Sequence, residues 1–255
     1  MNVVVTGGGT LAPIDDVRQL ANVSTGRFSA EITESCLRRG SHVWHVHAPY
    51  ALLPFRRLAG FDLDRAEPDL EINRILTLRR DYLACRDRLH MRPLREGTVA
   101  DYSTTLQHVF RDAPIDIAFL AMAVSDYEPQ SESGKIRSDQ GSLTLLLRPT
   151  PKVIRKVRDW SPEVYLVGFK LLSGASSHEL VSRTRESGIE NRANLTVGND
   201  LRQMREGRHT LQLVRPGHPD ETLGPGGDLA DRLVERVISW AKDAVSQSDS
   251  SSVSI

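Results

Sequence analysis

Cysteine is scarce. The 255 residues hold two, Cys36 and Cys85. Their separation makes neither a Cys-x-x-Cys pair nor a zinc-ligand spacing, so a disulfide framework and a zinc module are excluded. Each falls in an expected helix, where a buried free thiol is the ordinary outcome. That usage fits a reducing, cytoplasmic compartment. An excess of one charge is missing too: Lys+Arg and Asp+Glu are 33 each. A nucleic-acid binder normally carries a basic surplus, so no nucleic-acid partner is expected and any affinity for phosphate must be local. No apolar run approaches the ~20 residues that cross a bilayer, and the N-terminus lacks the basic start of a secretion signal. Neither a membrane partner nor export is expected.

Several chemical signatures are absent as well. There is no Gly-x-x-x-x-Gly-Lys-Ser/Thr, which excludes a Walker phosphate loop. There is no Gly-x-Gly-x-x-Gly, and His47-Ala48-Pro49 stands where a dinucleotide fold usually has a carboxylate for the ribose. There is no Gly-x-Ser-x-Gly elbow. His45 and His47 share one face of a strand, but no further ligand lies near in sequence, so ordinary strand histidines are expected.

What is present reads as one α/β domain over 1–247 with a disordered serine-rich tail at 248–255. A short apolar strand at Val3–Thr6 runs into Gly7-Gly8-Gly9-Thr10. A helix is expected from Ser24-Thr25 to Arg39, with Phe28, Ile32 and Cys36 on one face, and a strand at His42–His47. This opens a Rossmann-like, doubly wound, mostly parallel sheet flanked by helices. Residues 51–95 read as an insertion carrying a helix over Leu70–Leu89, with Val99 ending a short strand. A helix at Tyr102–Phe110 precedes Ile115–Val124, which is nearly all apolar and belongs at the centre of the sheet. Glu128–Gly141 is polar and reads as a flap, followed by a strand at Leu143–Leu147. Later strands are expected at Tyr165–Phe169, Asn194–Val197 and, at an edge, His209–Val214. A last helix covers Leu229–Val245.

Three stretches carry chemistry. The turn Gly8-Gly9-Thr10 and the helix entrance Ser24-Thr25-Gly26-Arg27 together suit an anion, because glycine lets phosphate approach the backbone and helix N-termini present free N–H groups. Alone, the same residues also describe a tight turn and a serine N-cap. At the end of the central strand, Ala121 leaves room for a flat ligand and Asp126 suits a cation or hydroxyls, or else caps its own loop. Within the flap, Lys135 is either a charge that closes on phosphates or a solvated lysine.

As an ordered set these pieces resemble the phosphopantothenoylcysteine synthetase family. The resemblance rests on Thr6-Gly7-Gly8-Gly9-Thr10-Leu11-Ala12-Pro13-Ile14, Val17-Arg18, and Asn22-Val23-Ser24-Thr25-Gly26-Arg27. It continues through Ala121-Met122-Ala123-Val124-Ser125-Asp126-Tyr127, Lys135-Ile136, Pro149-Thr150-Pro151-Lys152-Val153-Ile154, Gly168-Phe169-Lys170-Leu171 and Val197-Gly198-Asn199-Asp200. Lys170, Ala100-Asp101-Tyr102 and the 51–95 insertion are closer to the stand-alone eukaryotic type, which tends to use ATP, than to the fused bacterial type, which tends to use CTP. The resemblance implies a ligase that joins 4'-phosphopantothenate to L-cysteine with a nucleoside triphosphate and Mg2+, through an acyl-nucleotidylate, as a homodimer. It implies that Asn22 holds the acyl intermediate with Arg18 nearby, and that Lys135 closes on the triphosphate. Gly8, Gly9, Thr10, Ser24, Thr25 and Gly26 would bind phosphates; Ala121, Asp126 and Phe169 would border the base, with the metal at Asp126. Two rivals remain: an NAD(P)-dependent oxidoreductase on a Rossmann-like fold, and a non-catalytic nucleotide-binding relative, for which Leu172 in place of a usual glutamate speaks.

Overall fold

Val3, Val4 and Val5 are all fully buried, because the strand they form, β1 (Asn2–Gly7), is covered on both faces. This comes from a computed structural model describing residues 1–64, 66–139 and 141–252. A small hairpin, β2 (Leu11–Pro13) and β3 (Gln19–Ala21), leads to α1 (Arg27–Arg38) and then β4 (His42–His47). α2 (Pro68–Leu83), β5 (Leu89–Pro93), α3 (Val99–Asp112) and β6 (Ile117–Leu120) follow. A second hairpin pairs β7 (Tyr127–Pro129) with β8 (Leu147–Pro149). The chain ends in α4 (Val153–Trp160), β9 (Tyr165–Leu172), α5 (Ser177–Glu190), β10 (Leu195–Asp200), α6 (Leu201–Arg205), β11 (Leu211–Val214), β12 (Glu221–Leu223) and α7 (Leu229–Ser252).

The main sheet has eight strands in the order β12-β11-β10-β9-β6-β1-β4-β5. β5, β4, β1, β6, β9 and β10 run parallel, and β11 and β12 add antiparallel pairs. Side chains alternate across it. Val3, Val5, Ile117 and Phe119 join the core layer that includes Ile32, Leu37 and Leu233, whereas Val4, Ala118 and Leu120 join the layer of Tyr102, Leu106 and Val157. From β1 the chain steps outward to β4 and β5, then returns to β6 on the other side of β1. That reversal opens a crevice beyond the carboxyl ends of β1 and β6, where ligands bind in open α/β sheets.

The sequence-based elements need several corrections. The first helix begins at Arg27 rather than Ser24, because Gly26 turns left-handed (φ 73°) and no side chain caps the end. α2 stops at Leu83, and Leu89–Pro93 is a strand of the main sheet, so the 51–95 stretch is partly built into the fold. Val99 starts a helix instead of ending a strand, since the Thr98 hydroxyl caps it by accepting from the Asp101 N–H. The central strand is shorter than expected, ending at Leu120. Residues 143–146 are not a strand, and pairing begins at Leu147. β11 lies one place inside the edge that β12 forms. Leu233, Val237 and Ala241 form a buried stripe along α7, and the helix continues past Val245 to Ser252. Each added residue gains a backbone hydrogen bond and serine costs only a few tenths of a kcal/mol. Of the tail expected at 248–255, residues 253–255 lie outside the described residues.

Beneath α1, His45 is fully buried, with Nδ1 2.7 Å from the Thr33 hydroxyl and Nε2 unpartnered among the described residues. Burial, helped by neighbouring His47, pushes its pKa down to about 3. The unfolded chain therefore takes up a proton below about pH 6.5 that the folded chain refuses. Stability should fall as pH drops from about 6.5 toward 3, by up to about 1.4 kcal/mol per pH unit from this group. His45→Gln keeps a polar partner for Thr33 without titrating. Urea denaturation between pH 7 and pH 4.5 should show a shallower loss in the variant; identical slopes would assign the acid sensitivity elsewhere.

Candidate nucleotide and acyl-transfer site

The glycine turn and the helix entrance meet. Gly8 has φ 89°, and a Cβ there would stand 2.8 Å from the Ala48 Cβ and 2.9 Å from the Ala51 Cβ. A Cβ on Gly26 would stand 3.2 Å from the Gly8 nitrogen. The two backbones touch because neither carries a side chain. Asn22 completes the corner. A Cβ on Gly9 would overlap the Asn22 carbonyl oxygen, and Asn22 Nδ2 donates to the Ala123 carbonyl at 3.3 Å. Among the described residues the Asn22 carboxamide oxygen accepts no hydrogen bond. Ser24 is half-buried beside it, and Thr25 is exposed.

The exit of β6 is laid along this turn. Ala123 N–H donates to the Gly8 carbonyl at 2.8 Å, and Thr10 N–H donates to the Ala123 carbonyl at 3.0 Å. Thr10 is fully buried and its hydroxyl accepts from the Ser125 N–H at 2.9 Å, so this side chain holds the β6 exit in place and is not open to a phosphate. Ala121 is half-buried at the start of the segment. Asp126, at its end, is exposed and ion-paired with Lys152 at the start of α4. Lys152 had only a place in a motif; the sequence held no sign that it would neutralise Asp126. No group of three or more His, Cys, Asp or Glu comes together among the described residues. With its one candidate carboxylate already paired to lysine, the site does not fit a metal held by the protein alone.

Arg18 and Lys135 belong to one assembly. The Arg18 guanidinium grips Asp15 through Nε at 3.0 Å and Nη2 at 2.5 Å, and Nη2 also donates to the Ile136 carbonyl at 2.8 Å. Arg18 is thus committed to tying the hairpin to the flap. Lys135, next to Ile136, is exposed and has no ion-pair partner among the described residues. Hydrogen bonding from Arg18 holds the Asp15 carboxyl well below the usual carboxylate range.

On the far side, Phe169 within β9 packs edge-on against Phe28 with ring centroids 6.4 Å apart, and Phe28 packs against His209 at 5.2 Å. The Asn199 amide lies 3.3 Å from His209 Nε2, and burial lowers the His209 pKa. Phe28 therefore sits between the rings of Phe169 and His209. Only Phe169 carried a motif signal; the other two arrive through folding, from the first turn of α1 and the approach to β11.

The chain and its fold have known counterparts. The family model described as the DNA/pantothenate metabolism flavoprotein C-terminal domain matches residues 1–68 and 95–239. The chain belongs to that family. The gap in the match falls on α2 and β5, inside the stretch expected as an insertion. Among curated relatives, the coenzyme A biosynthesis bifunctional protein CoaBC of Thermococcus kodakarensis is 28% identical over 213 residues, covering 83% of this chain and 44% of the relative. The CoaBC of Methanocaldococcus jannaschii is 22% identical over 242 residues, 50% of its length, so the chain spans about half of these relatives. The phosphopantothenate–cysteine ligase of Mus musculus is 28% identical over 229 residues, covering 80% of this chain and 73% of the mouse protein. Among solved structures, the DNA/pantothenate metabolism flavoprotein from Streptococcus pneumoniae superposes with a TM-score of 0.74 at 27% identity, covering 94% of this chain and 99% of that one. A Cab2 variant in complex with phosphopantothenate-cysteine superposes at 0.83 with 21% identity over 97% of this chain and 88% of that one, a likeness of fold. No helix among the described residues is long and apolar enough to cross a membrane.

Proposed function

We propose that this chain is a phosphopantothenate–cysteine ligase. In the first step a carboxylate oxygen of 4'-phosphopantothenate attacks the α-phosphate of a nucleoside triphosphate and pyrophosphate leaves. In the second, the amine of L-cysteine attacks the acyl carbon, the nucleoside monophosphate leaves with the bonding pair, and the amine proton passes to solvent. The observation that carries this reading is the contact between Gly8 and Gly26 at the switch point, with the Asn22 carboxamide on the same corner. Such a corner offers backbone donors to a polyanion and a neutral amide to an acyl oxygen, and needs no nucleophilic side chain.

In this reading Gly8, Gly9, Ser24, Thr25 and Gly26 take the phosphates. Asn22 Nδ2 faces the charge that develops on the acyl oxygen, Lys135 meets the triphosphate from the flap, and Ala121 and Phe169 border the base. Mg2+ arrives on the triphosphate oxygens. The nucleotide is ATP or CTP. The setting is cytoplasmic and the working unit a homodimer, which light scattering tests directly.

Pyrophosphate release with ATP and CTP side by side tests the proposal. Release should require both L-cysteine and 4'-phosphopantothenate. Release that ignores cysteine, or none with either nucleotide, would remove the ligase reading. A thermal shift produced by NADPH but not by ATP or CTP would favour the oxidoreductase instead. Lys135→Gln should raise the KM for the nucleotide about tenfold or more, the size expected for a lost charge-assisted hydrogen bond, with the thermal midpoint unchanged. Unchanged nucleotide kinetics would take Lys135 out of the site.

A further inference from the structure

We propose that Asp15 is a positioning residue of the nucleotide site, acting through the flap to set where Lys135 stands. This deepens the ligase reading and rests on it. Asp15 is 5% exposed although it lies in a loop between two short strands. Its Oδ1 accepts from the Val17 and Arg18 N–H groups at 3.0 Å and 2.7 Å. Its Oδ2 accepts from the Arg18 guanidinium and, across the molecule, from the Ile136 N–H at 3.0 Å. Arg18 Nη2 in turn donates to the Ile136 carbonyl. Both peptide groups of Ile136 are thus held by one ion pair, whose carboxylate is buried and whose guanidinium is partly exposed.

The residue on the other side of Lys135 is held in the same way. Gly134 N–H donates to Asp16 Oδ2 at 3.2 Å, and the Gly134 carbonyl accepts from the Asp16 N–H at 3.2 Å. Farther along the flap, Glu132 N–H donates to the Ile14 carbonyl at 3.0 Å. Lys135 therefore stands between two clamped neighbours while its own side chain stays exposed. A lysine on a free loop loses much of its rotational and backbone freedom when it closes on an anion; here the backbone part is lost on folding instead. The hairpin that carries the clamp also leads directly to Asn22, so the flap and the acyl corner share one support. An ordinary exposed loop acid explains none of this: the Asp15 carboxylate holds a peptide group 121 residues away.

Two variants break the clamp from opposite sides. Asp15→Asn keeps the size and loses the charge; Ile136→Pro removes the N–H that Asp15 accepts and leaves the hairpin intact. Both should raise the KM for the nucleotide about tenfold, with the KM for cysteine unchanged. Combined with Lys135→Gln, neither should add much to the loss from Lys135→Gln alone, because both routes end at the same ammonium. Trypsin should cleave after Lys135 and Arg137 faster in Asp15→Asn than in the wild type. Wild-type cleavage rates would show that the clamp does not order the flap. Equal losses for cysteine and nucleotide, or fully additive losses with Lys135→Gln, would show a general structural role; either result overturns the proposal. Binding of a fluorescent ATP analogue and the tryptic readout are measured without turnover, so a failure of the ligase reading itself appears separately, as absent pyrophosphate release from the wild type.

Discussion

Asn22→Ala should lower the rate of phosphopantothenoylcysteine formation by about a hundred- to a thousandfold, the cost of losing one aligned donor to a developing oxyanion. The argument starts from what the carboxamide is free to do. Its nitrogen makes one long contact, 3.3 Å to the Ala123 carbonyl, which leaves a second N–H, and among the described residues the oxygen has no donor. Truncation strands no buried polar group, because the Ala123 carbonyl still accepts from the Thr10 N–H, so the thermal midpoint should move by only a few degrees. The backbone of Asn22 is held by its neighbours: the Ser24 N–H donates to its carbonyl at 2.9 Å. Asn22→Asp is the sharper companion. It keeps the shape but sets a negative charge where phosphate and acyl oxygens gather, so it should weaken nucleotide binding as well as turnover. Single-turnover acyl transfer, followed with cysteine added last, separates the two effects. Wild-type rates in the pure alanine variant would leave the acyl site without its central residue.

The sequence carried the frame of this site better than its details, for reasons visible at single residues. β4 falls on His42–His47, as its bounding residues indicate, because Gly40 and Ala48-Pro49 punctuate it locally. The meeting of Gly8 with Gly26 was readable because glycine at both places excludes a side chain, and only a close approach makes use of that. Thr10 was misleading. In sequence it extends the phosphate turn, but its fully buried hydroxyl holds the β6 exit through Ser125, a partner 115 residues away. Arg18 stood out as a charge near the acyl site, whereas its guanidinium is turned onto Asp15 and Ile136. Asp15, Lys152 and His209 gave no local signal. Each takes its place through a contact that the fold creates, across turns or strand ends too far apart for any periodicity to register. Ser24 failed as a helix cap for a related reason: the left-handed turn at Gly26 is demanded by the touching backbone of Gly8, and that contact outweighs the capping preference of serine.

Gly9→Ala should be as damaging to activity as any change at Asn22, and it should reduce stability as well. The chain at Gly9 is not left-handed, so alanine meets no conformational barrier there; the obstacle is space. An added Cβ would overlap the Asn22 carbonyl oxygen and stand 3.1 Å from its carbon and 3.4 Å from its Cβ. These are backbone and near-backbone atoms, which cannot swing aside as the end of a flexible side chain would. Either the glycine turn after β1 or the strand leading to Asn22 must retreat. Retreat of the turn loosens the bridge between Gly9 and Ala123 and the hydrogen bonds on either side of it. Retreat of Asn22 moves its amide away from the phosphate turn. Overpacking of this kind costs about 1–3 kcal/mol, and displacing a reacting group by about 1 Å costs about a hundredfold in rate. Gly60→Ala is the matched control, since nothing lies within 4 Å of a Cβ there and surface changes of this kind stay within about 0.5 kcal/mol. Chemical denaturation and pyrophosphate release measured on both variants decide the matter: a Gly9→Ala protein as stable and as active as Gly60→Ala would mean that Asn22 does not lie against the glycine turn in the working enzyme.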